Sequence, residues 1–305
     1  MLLVGCLGHR QIPTVTTVPV GQWPNDAVFD PASGRLFVAD EGSATLTVLT
    51  TEGRKIGSID LTTRARHLAV DPDLGQLYAP NEGSGFVAVF NTHNLEERFR
   101  VAVGRQPHGI AVDRSSHRVF VGNEGEASLT AFDGRTGRVL YTASVGQGPG
   151  GVAVDPVTAR VVVVSVPENR LYLVDGHTGR NLSTFPTGMG PTHIRLHTQT
   201  GMAYVLNTEA NSVTVFDVRQ ARLLATLSVD RYPIGIDLDE TAGRAYIVNN
   251  RSNTLSVLDG TTLHVLQTWR IPRNVSSATL APQVGLLYLT LKSDNRVALV
   301  HVRDL

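Results

Sequence analysis

The sequence has little of what several protein classes require. Cys6 is the only cysteine among 305 residues, so no disulfide and no thiolate metal cluster can form within one chain. The 27 basic and 27 acidic residues give a formal net charge of zero, which provides no overall positive field for duplex nucleic acid or an anionic membrane. We therefore expect no duplex nucleic acid among the partners.

Long apolar runs are absent too, which predicts no transmembrane span. The segment Leu-Leu-Val-Gly-Cys at residues 2–6 resembles a bacterial lipobox, although a secretory signal needs an apolar run of roughly 7 to 15 residues and only a short segment precedes Cys6. If translation starts upstream, we expect an extracytoplasmic protein, periplasmic or at the cell surface, with a lipid anchor on Cys6. If Met1 is the true start, the match is chance and the protein is cytoplasmic.

A repeat of 42 residues organises the rest of the chain. Short apolar segments such as His-Gly-Ile-Ala-Val-Asp recur along the chain, and the last residue of each segment is called its anchor position. Successive anchors are 42 residues apart after a first spacing of 41, and in most copies a proline stands six residues before the anchor. The seven anchor positions are Asp30, Asp71, Asp113, Asp155, His197, Asp239 and Ala281. An internal repeat of this length is typical of solenoids and propellers.

Each copy contains four strand-sized segments, which the third copy places at residues 108–113, 117–123, 127–133 and 138–145. Four antiparallel strands per repeat predict the blade of a β-propeller, so we expect an all-β, seven-bladed ring. Aspartates at the turns are expected to accept hydrogen bonds from the following backbone, and the glycines of the Asp-Gly pairs at 133, 175 and 259 to supply positive φ.

The two ends of the chain predict how the ring closes. The last copy has three strand segments and stops at Leu305, whereas residues 13–20 read like the final strand of a blade. We expect that segment to complete blade seven, so that residues 13–305 form a single propeller domain. Residues 1–12 are then an N-terminal tail, a remnant of a lipoprotein signal on the export hypothesis.

The second strand of the repeat resembles the signature of the YVTN-type β-propeller repeat family. Its versions here are Tyr-Val-Leu-Asn, Tyr-Ile-Val-Asn, Phe-Val-Gly-Asn and Tyr-Ala-Pro-Asn, at 204–207, 246–249, 120–123 and 78–81. The resemblance spans essentially the whole chain and implies a seven-bladed ring. Relatives of this kind include surface-layer and secreted binding proteins, and similar rings house lactonases and a streptogramin lyase. The family resemblance therefore leaves the function open.

Two positions of the repeat gather chemistry on one sector of the ring. In a propeller, the loops before the first strand and between the second and third strands lie on one face around the central channel. The turn after the second strand carries Glu41, Glu82 and Glu124 on blades one to three, and the start of the first strand carries Asp26, His67 and, one residue earlier in the repeat, His108 on the same blades. His193 occupies the position of His67 in blade five. Carboxylates beside imidazoles suit an acid/base pair or a divalent metal, while a polar channel lining without chemistry is the alternative.

A third group precedes the first strand of each blade. Trp23, Arg64, Tyr232 and Arg273 occupy this position in blades that are neighbours in a closed ring. Such a rim suits a sugar, an aromatic or an anionic ligand. The alternative is that these are variable loop residues that only pack on one another.

Two functions follow from these residues. The first is a monomeric, exported, non-catalytic scaffold that binds a small molecule, a glycan or a protein on the channel-mouth face through the side chains Trp23, Asp26, Glu41, Arg64, His193, Tyr232 and Arg273. The second is a lactonase- or lyase-like enzyme whose catalytic residues are His67, His108, Glu82 and Glu124, with a divalent metal as the one cofactor that these residues suggest.

Overall fold

The computed structural model describes residues 10–13 and 16–305, which form a ring of seven β-sheets. The chain begins with β1 (Arg10–Gln11) and β2 (Thr17–Pro19). Blade one contains β3 (Pro24–Asp30), β4 (Arg35–Asp40), β5 (Thr45–Thr50) and β6 (Lys55–Asp60). Blade two contains β7 (Ala69–Asp71), β8 (Gln76–Asn81), β9 (Phe86–Asn91) and β10 (Glu97–Ala102). Blade three contains β11 (Pro107–Asp113), β12 (Arg118–Asn123), β13 (Ser128–Asp133) and β14 (Val139–Ser144).

The remaining blades repeat this arrangement. Blade four contains β15 (Pro149–Asp155), β16 (Arg160–Ser165), β17 (Arg170–Asp175) and β18 (Asn181–Pro186). Blade five contains β19 (Pro191–His197), β20 (Met202–Asn207), β21 (Ser212–Asp217) and β22 (Arg222–Ser228). Blade six contains β23 (Pro233–Asp239), β24 (Arg244–Asn249), β25 (Thr254–Asp259) and β26 (His264–Arg270). Blade seven contains β27 (Val275–Ala281), β28 (Leu286–Leu291) and β29 (Arg296–His301). Two 3-10 turns lie at Glu124–Glu126 and Val302–Asp304.

Burial explains why the middle strands read as continuous apolar runs. The second and third strands of each blade lie between two neighbouring blades and are covered on both faces, whereas the outermost strands alternate between exposed and partly buried residues. Four tyrosines at the same position of the second strand are almost fully buried, namely Tyr78, Tyr204, Tyr246 and Tyr288. Each such side chain contributes roughly 1.5–3 kcal/mol by leaving water, so the ring is held together mainly between blades.

A polar residue ends most of the second strands and ties two strands together. Asn123 Nδ2 donates to Ser128 Oγ and Thr130 Oγ1, both at 2.9 Å, and Asn207 and Asn249 make the same contacts in their blades. The sequence predicted a structural role for this position as a turn former. The role is structural, but the side chain bridges to hydroxyls of the third strand inside the blade.

The predicted turn chemistry is correct for aspartate and wrong for glycine. Asp30 and Asp71 of the predicted Asp-Pro turns accept hydrogen bonds from the backbone N–H two residues later, at 3.0 and 3.1 Å. The glycines of the Asp-Gly pairs, however, do not adopt positive φ. A Cβ on Gly134 would lie 2.5 Å from the Tyr78 hydroxyl, and one on Gly176 would lie 2.3 Å from the Ala159 carbonyl oxygen. Close packing, rather than backbone conformation, therefore requires glycine there.

The N-terminal segment closes the ring as predicted. β2 pairs antiparallel with β29, and Val18 lies opposite Val297, so blade seven has four strands taken from both ends of the chain. Of the predicted segment 13–20, residues 14 and 15 lie outside the described residues. β1 adds a feature that the sequence did not predict, because it pairs parallel with β26 as a fifth strand of blade six. The expected boundary at residue 13 thus falls between strands of two different blades.

Candidate functional site

One backbone contact places two loops of every blade on the same face. The first residue of the turn after the second strand donates its N–H to the carbonyl of the residue that precedes the first strand, as in Glu41 to Trp23 at 3.1 Å and Glu124 to Gln106 at 2.9 Å. We call this side of the ring the channel-mouth face. The expected grouping of these loops is therefore observed.

The same contact corrects one alignment. In blade seven Lys292 donates to Asn274, not to Arg273, at 3.0 Å. Asn274 has a φ of 58°, similar to the 52° of Trp23 and the 63° of Tyr232 at the equivalent position. The sequence assigned Arg273 to this position because blade seven lacks the proline that marks it elsewhere. Arg273 lies one residue earlier in the loop.

Blade two departs from the others, and its irregularity positions the site. Its inner strand β7 has three residues, whereas the inner strands of the other blades have seven. Ala65 stands where most blades have proline. The segment that carries Arg66 and His67 therefore runs into the channel as irregular backbone before β7 begins.

In the other six blades a β-bulge follows the first residue of the inner strand, for example between Pro107 and Ile110. A bulge re-aims side chains, so two successive residues reach the channel instead of alternate ones. Residues at the first of these positions line a pocket of about 380 Å³ at the channel mouth, namely Asn25, Arg66, His108, Thr192, Ile234 and Ser276. Glu41, Lys292, His67 and His193 complete this channel-mouth pocket.

Three imidazoles meet at the floor of the channel-mouth pocket. The ring of His67 lies edge-on to those of His108 and His193, with centroid distances of 4.6 and 5.0 Å. His67 Nδ1 also lies 3.3 Å from Asp26 Oδ2, and the backbone N–H of Leu68 donates to the same oxygen at 3.4 Å. His67, His108 and His193 are called the histidine cluster below, and His67 is its centre.

Glycines on the inner strands of blades three and four let neighbouring blades approach one another closely beside these rings. A Cβ on Gly109 would lie 1.9 Å from the Gly150 carbonyl oxygen, and one on Gly151 would lie 2.9 Å from the backbone nitrogen of Ile194. Both residues border a small cavity below the histidine cluster, together with Asp26 and Arg195. Its volume of about 20 Å³ suffices for one water molecule.

Burial keeps two members of the histidine cluster neutral. Desolvation, reinforced by the neighbouring His67, lowers the pKa of His193 to about 3. The same two causes hold the pKa of His108 well below its usual range. Burial opposes ionisation of Asp26, but the hydrogen bond with His67 and the charge of Arg195 outweigh it and lower the pKa of this carboxyl. The floor of the pocket thus holds an ionised carboxylate near the neutral imidazoles of His108 and His193.

One wall of the pocket is a network of carboxylates and cations. Glu41 lies 3.1 Å from Arg66 Nε and 2.7 Å from Lys292 Nζ, and Glu82 lies 3.4 Å from Arg66 Nε and 3.3 Å from Arg64 Nε. Burial opposes ionisation of Glu41, but Lys292 and then Arg66 hold its pKa below the usual range. Burial raises the pKa of Glu82 against the opposing charges of Arg66 and Arg64.

The structure brings most of the predicted catalytic residues together. Glu82 Oε1 lies 4.0 Å from His108 Nε2, so Glu82 joins the histidine cluster to the charged wall. Glu124 is exposed at the start of a 3-10 turn and does not line the channel-mouth pocket. Arg66 was missed, although it stands in the same position of the repeat as His108.

The predicted rim lies farther out on the channel-mouth face. Trp23 is 59% exposed. The ring of Tyr232 is covered by the guanidinium of Arg251, 3.9 Å from the ring centroid. Among residues 10–13 and 16–305, no aromatic or cation–π contact joins Trp23 to Tyr232.

The channel continues below the histidine cluster to the opposite face. Arg195 Nε lies 3.5 Å from Asp237 Oδ1, and enclosure raises the pKa of Asp237 although Arg195 opposes the shift. Both line a second pocket of about 430 Å³ whose other walls are largely apolar. Within the described part of the chain, no three His, Asp or Glu side chains are placed to hold a metal ion. A divalent metal at this site stays a prediction.

Comparison with known proteins agrees with this architecture. Residues 54–257 match the family model described as "Lactonase, 7-bladed beta-propeller". The chain belongs to this lactonase family of propellers. The expected resemblance to lactonase-like rings is thereby confirmed. Among solved structures the chain is similar to the hydrazine synthase of Kuenenia stuttgartiensis, with a TM-score of 0.80, 16% identity and coverage of 99% of both chains, which shows the fold alone. No curated protein shows significant similarity to the chain.

Proposed function

We propose that this propeller hydrolyses a small lactone in the channel-mouth pocket. The observation that carries the proposal is the contact of 3.3 Å between buried Asp26 and His67 at the floor of that pocket. With its Nδ1–H donated to a carboxylate, the imidazole keeps Nε2 as the nitrogen that can accept a proton. A pocket of about 380 Å³ also has room for a ring of sugar size.

The reaction needs a base, an oxyanion partner and an acid. His67 Nε2 takes a proton from a water molecule while the water oxygen attacks the lactone carbonyl carbon. Arg66 and Lys292 on the pocket wall face the negative charge that develops on the carbonyl oxygen. The ring C–O bond then breaks, and the departing alkoxide takes the proton back from His67, which yields a hydroxy acid.

A non-catalytic binding role is the second candidate, and the ion pairs of Glu41 favour it. Glu41 already neutralises Arg66 and Lys292 at 3.1 and 2.7 Å. A ligand bound without chemistry would leave these pairs intact and use the neutral histidines and Thr192 for hydrogen bonds. Such a ligand is polar and uncharged.

Rates of lactone opening test the two candidates. We would measure acid release from γ- and δ-lactones of sugar acids with the wild type, H67Q and D26N, and with H93Q as the matched control at an exposed histidine. Loss of a general base lowers the rate by about 10²–10⁴-fold, so H67Q should fall by at least 100-fold and H93Q should not change. Equal rates in the wild type and H67Q would refute catalysis by His67. Binding of the lactone without turnover by both the wild type and H67Q would establish the non-catalytic binding role.

Location remains part of the proposal. Cys6 lies outside the described residues, so export and lipid anchoring through the Leu-Val-Gly-Cys motif stay predictions. No helix in residues 10–13 and 16–305 is long and apolar enough to cross a membrane. Protein or glycan partners on the channel-mouth face, and the monomeric state, also stay predictions.

A further inference from the structure

A further pocket, separate from the two described above, lies on the channel-mouth face at blade six and is lined by four arginines. Arg231 comes from the loop before β23, Arg251 from the turn between β24 and β25, Arg270 from the end of β26, and Arg273 from the loop before β27. They line a depression of about 590 Å³, called the arginine pocket below. It shares no lining residue with the channel-mouth pocket.

These four guanidiniums lie around one depression without the carboxylate partners that several other arginines have. Arg66, Arg114 and Arg219 each pair with a carboxylate at 2.9–3.4 Å. Within the part of the chain that the structure describes, no guanidinium of the arginine pocket has a carboxylate within 4.0 Å or donates a side-chain hydrogen bond. All four side chains belong to exposed residues, so their donors can reach a ligand.

Two contacts shape the pocket without neutralising it. The guanidinium of Arg251 stacks on Tyr232 at 3.9 Å, which orients its plane and leaves its N–H edge available. Asp230 is the one acidic residue among the described lining residues, and its carboxylate accepts a hydrogen bond from Thr254 Oγ1 at 2.6 Å. Four cations and one anion leave a local excess of positive charge in a chain whose formal net charge is zero.

Like charges gathered around one depression with a single counter-charge repel one another, and an anion of matching charge relieves the repulsion. A single carboxylate would offset one cation and leave several unpaired. A phosphate group carries up to two negative charges and presents its oxygens to several guanidinium forks at once. We propose that the arginine pocket binds a multivalent phosphate group, presented by a soluble phosphate ester or by a lipid headgroup.

Calorimetry with inorganic pyrophosphate tests the site on the full chain at low salt. The test variant is R231Q/R273Q, and R138Q/R180Q is the matched control, because it removes two exposed arginines in other blades. We expect pyrophosphate to bind the wild type and the control with equal affinity and to bind R231Q/R273Q at least tenfold more weakly. Binding to all three proteins should weaken as the salt concentration increases. Equal weakening in both double variants would overturn the proposal, since it would indicate a general effect of charge.

Vesicles distinguish the two sources of phosphate. We would sediment the wild type with vesicles of phosphatidylcholine alone and of phosphatidylcholine with phosphatidic acid. Sedimentation that needs phosphatidic acid, is lost in R231Q/R273Q and is reversed by pyrophosphate assigns the site to a lipid headgroup. Binding of pyrophosphate without sedimentation assigns it to a soluble phosphate ester. No binding of either probe by the wild type refutes the site, whatever the result with lactones.

Discussion

The neutral histidines of the channel should make the fold sensitive to acid. His193 has an ordinary pKa of about 6.5 when unfolded and about 3 in the folded protein, so between these values the unfolded chain binds the proton and the folded chain does not. The free energy of unfolding therefore falls as the pH decreases below about 6.5. The dependence approaches about 1.4 kcal/mol per pH unit for this one residue.

The magnitude can be isolated with one substitution. Integrated from pH 6 to pH 4, the shift of His193 corresponds to a loss of about 2–3 kcal/mol. In H193Q this loss should disappear, because glutamine does not titrate and its amide can still donate to Thr192 Oγ1, the atom that lies 3.0 Å from His193 Nδ1. Asp26 and His108 interact electrostatically with His193, so the difference between the two pH profiles reports the titration of His193 together with its coupling to these neighbours.

Urea unfolding at pH 4, 5, 6 and 7 measures this difference directly. The wild type should lose stability toward pH 4 more steeply than H193Q, by about 2–3 kcal/mol over the range from pH 6 to pH 4. H264Q is the matched control at an exposed histidine and should keep the profile of the wild type. Parallel profiles for the wild type and H193Q would refute the account of a buried, neutral histidine at the floor of the pocket.

Three other predictions concern the ring and a metal. Deletion of residues 1–20 removes β2 and should lower the melting midpoint by several degrees. Deletion of residues 1–9 is the control, because it spares both N-terminal strands. Equal midpoints for the two deletion variants would contradict closure through β2. G109A should lower the free energy of unfolding by at least roughly 1–3 kcal/mol, because its Cβ would lie 1.9 Å from the Gly150 carbonyl oxygen. G57A is the control, because its Cβ would meet only the end of the Leu95 side chain. Urea unfolding measures the stability of both variants. If Zn²⁺ binds through the histidine cluster, it should raise the midpoint of the wild type and not of H67A/H108A; equal midpoint shifts would place the metal elsewhere.

The fold was predictable because a propeller repeats one short pattern. The spacing of the Asp anchors gave the number of blades, and the unpaired strand segments at the two ends gave the closure. β1 could not be predicted, because two residues contain no periodicity and their pairing depends on the edge that blade six leaves open. The glycines after Asp133 and Asp175 were assigned to the wrong cause, since close packing against another strand leaves no mark in a local sequence.

The site was predictable only where it followed the repeat. Asp26 and His67 share one position of the repeat, and the ring brings them together as expected, whereas the contact of His193 from blade five with His67 was not expected. Arg66 and Lys292 were missed because their role depends on reaching Glu41 from two blades, which a position in the repeat does not reveal. The β-bulges were a second reason why these residues could not be predicted, because a regular strand would direct only alternate side chains into the channel.

Blade seven combines strands from the beginning and the end of the chain, and this has a consequence for biosynthesis. Val18 is synthesised long before its partner Val297, because almost the whole ring lies between them in the chain. Until then β2 has no partner strand and the face of blade one that packs on blade seven is uncovered, and such surfaces invite association with other chains. The ring can therefore close only after β29 has been made, and the partly synthesised propeller is exposed to aggregation until that point.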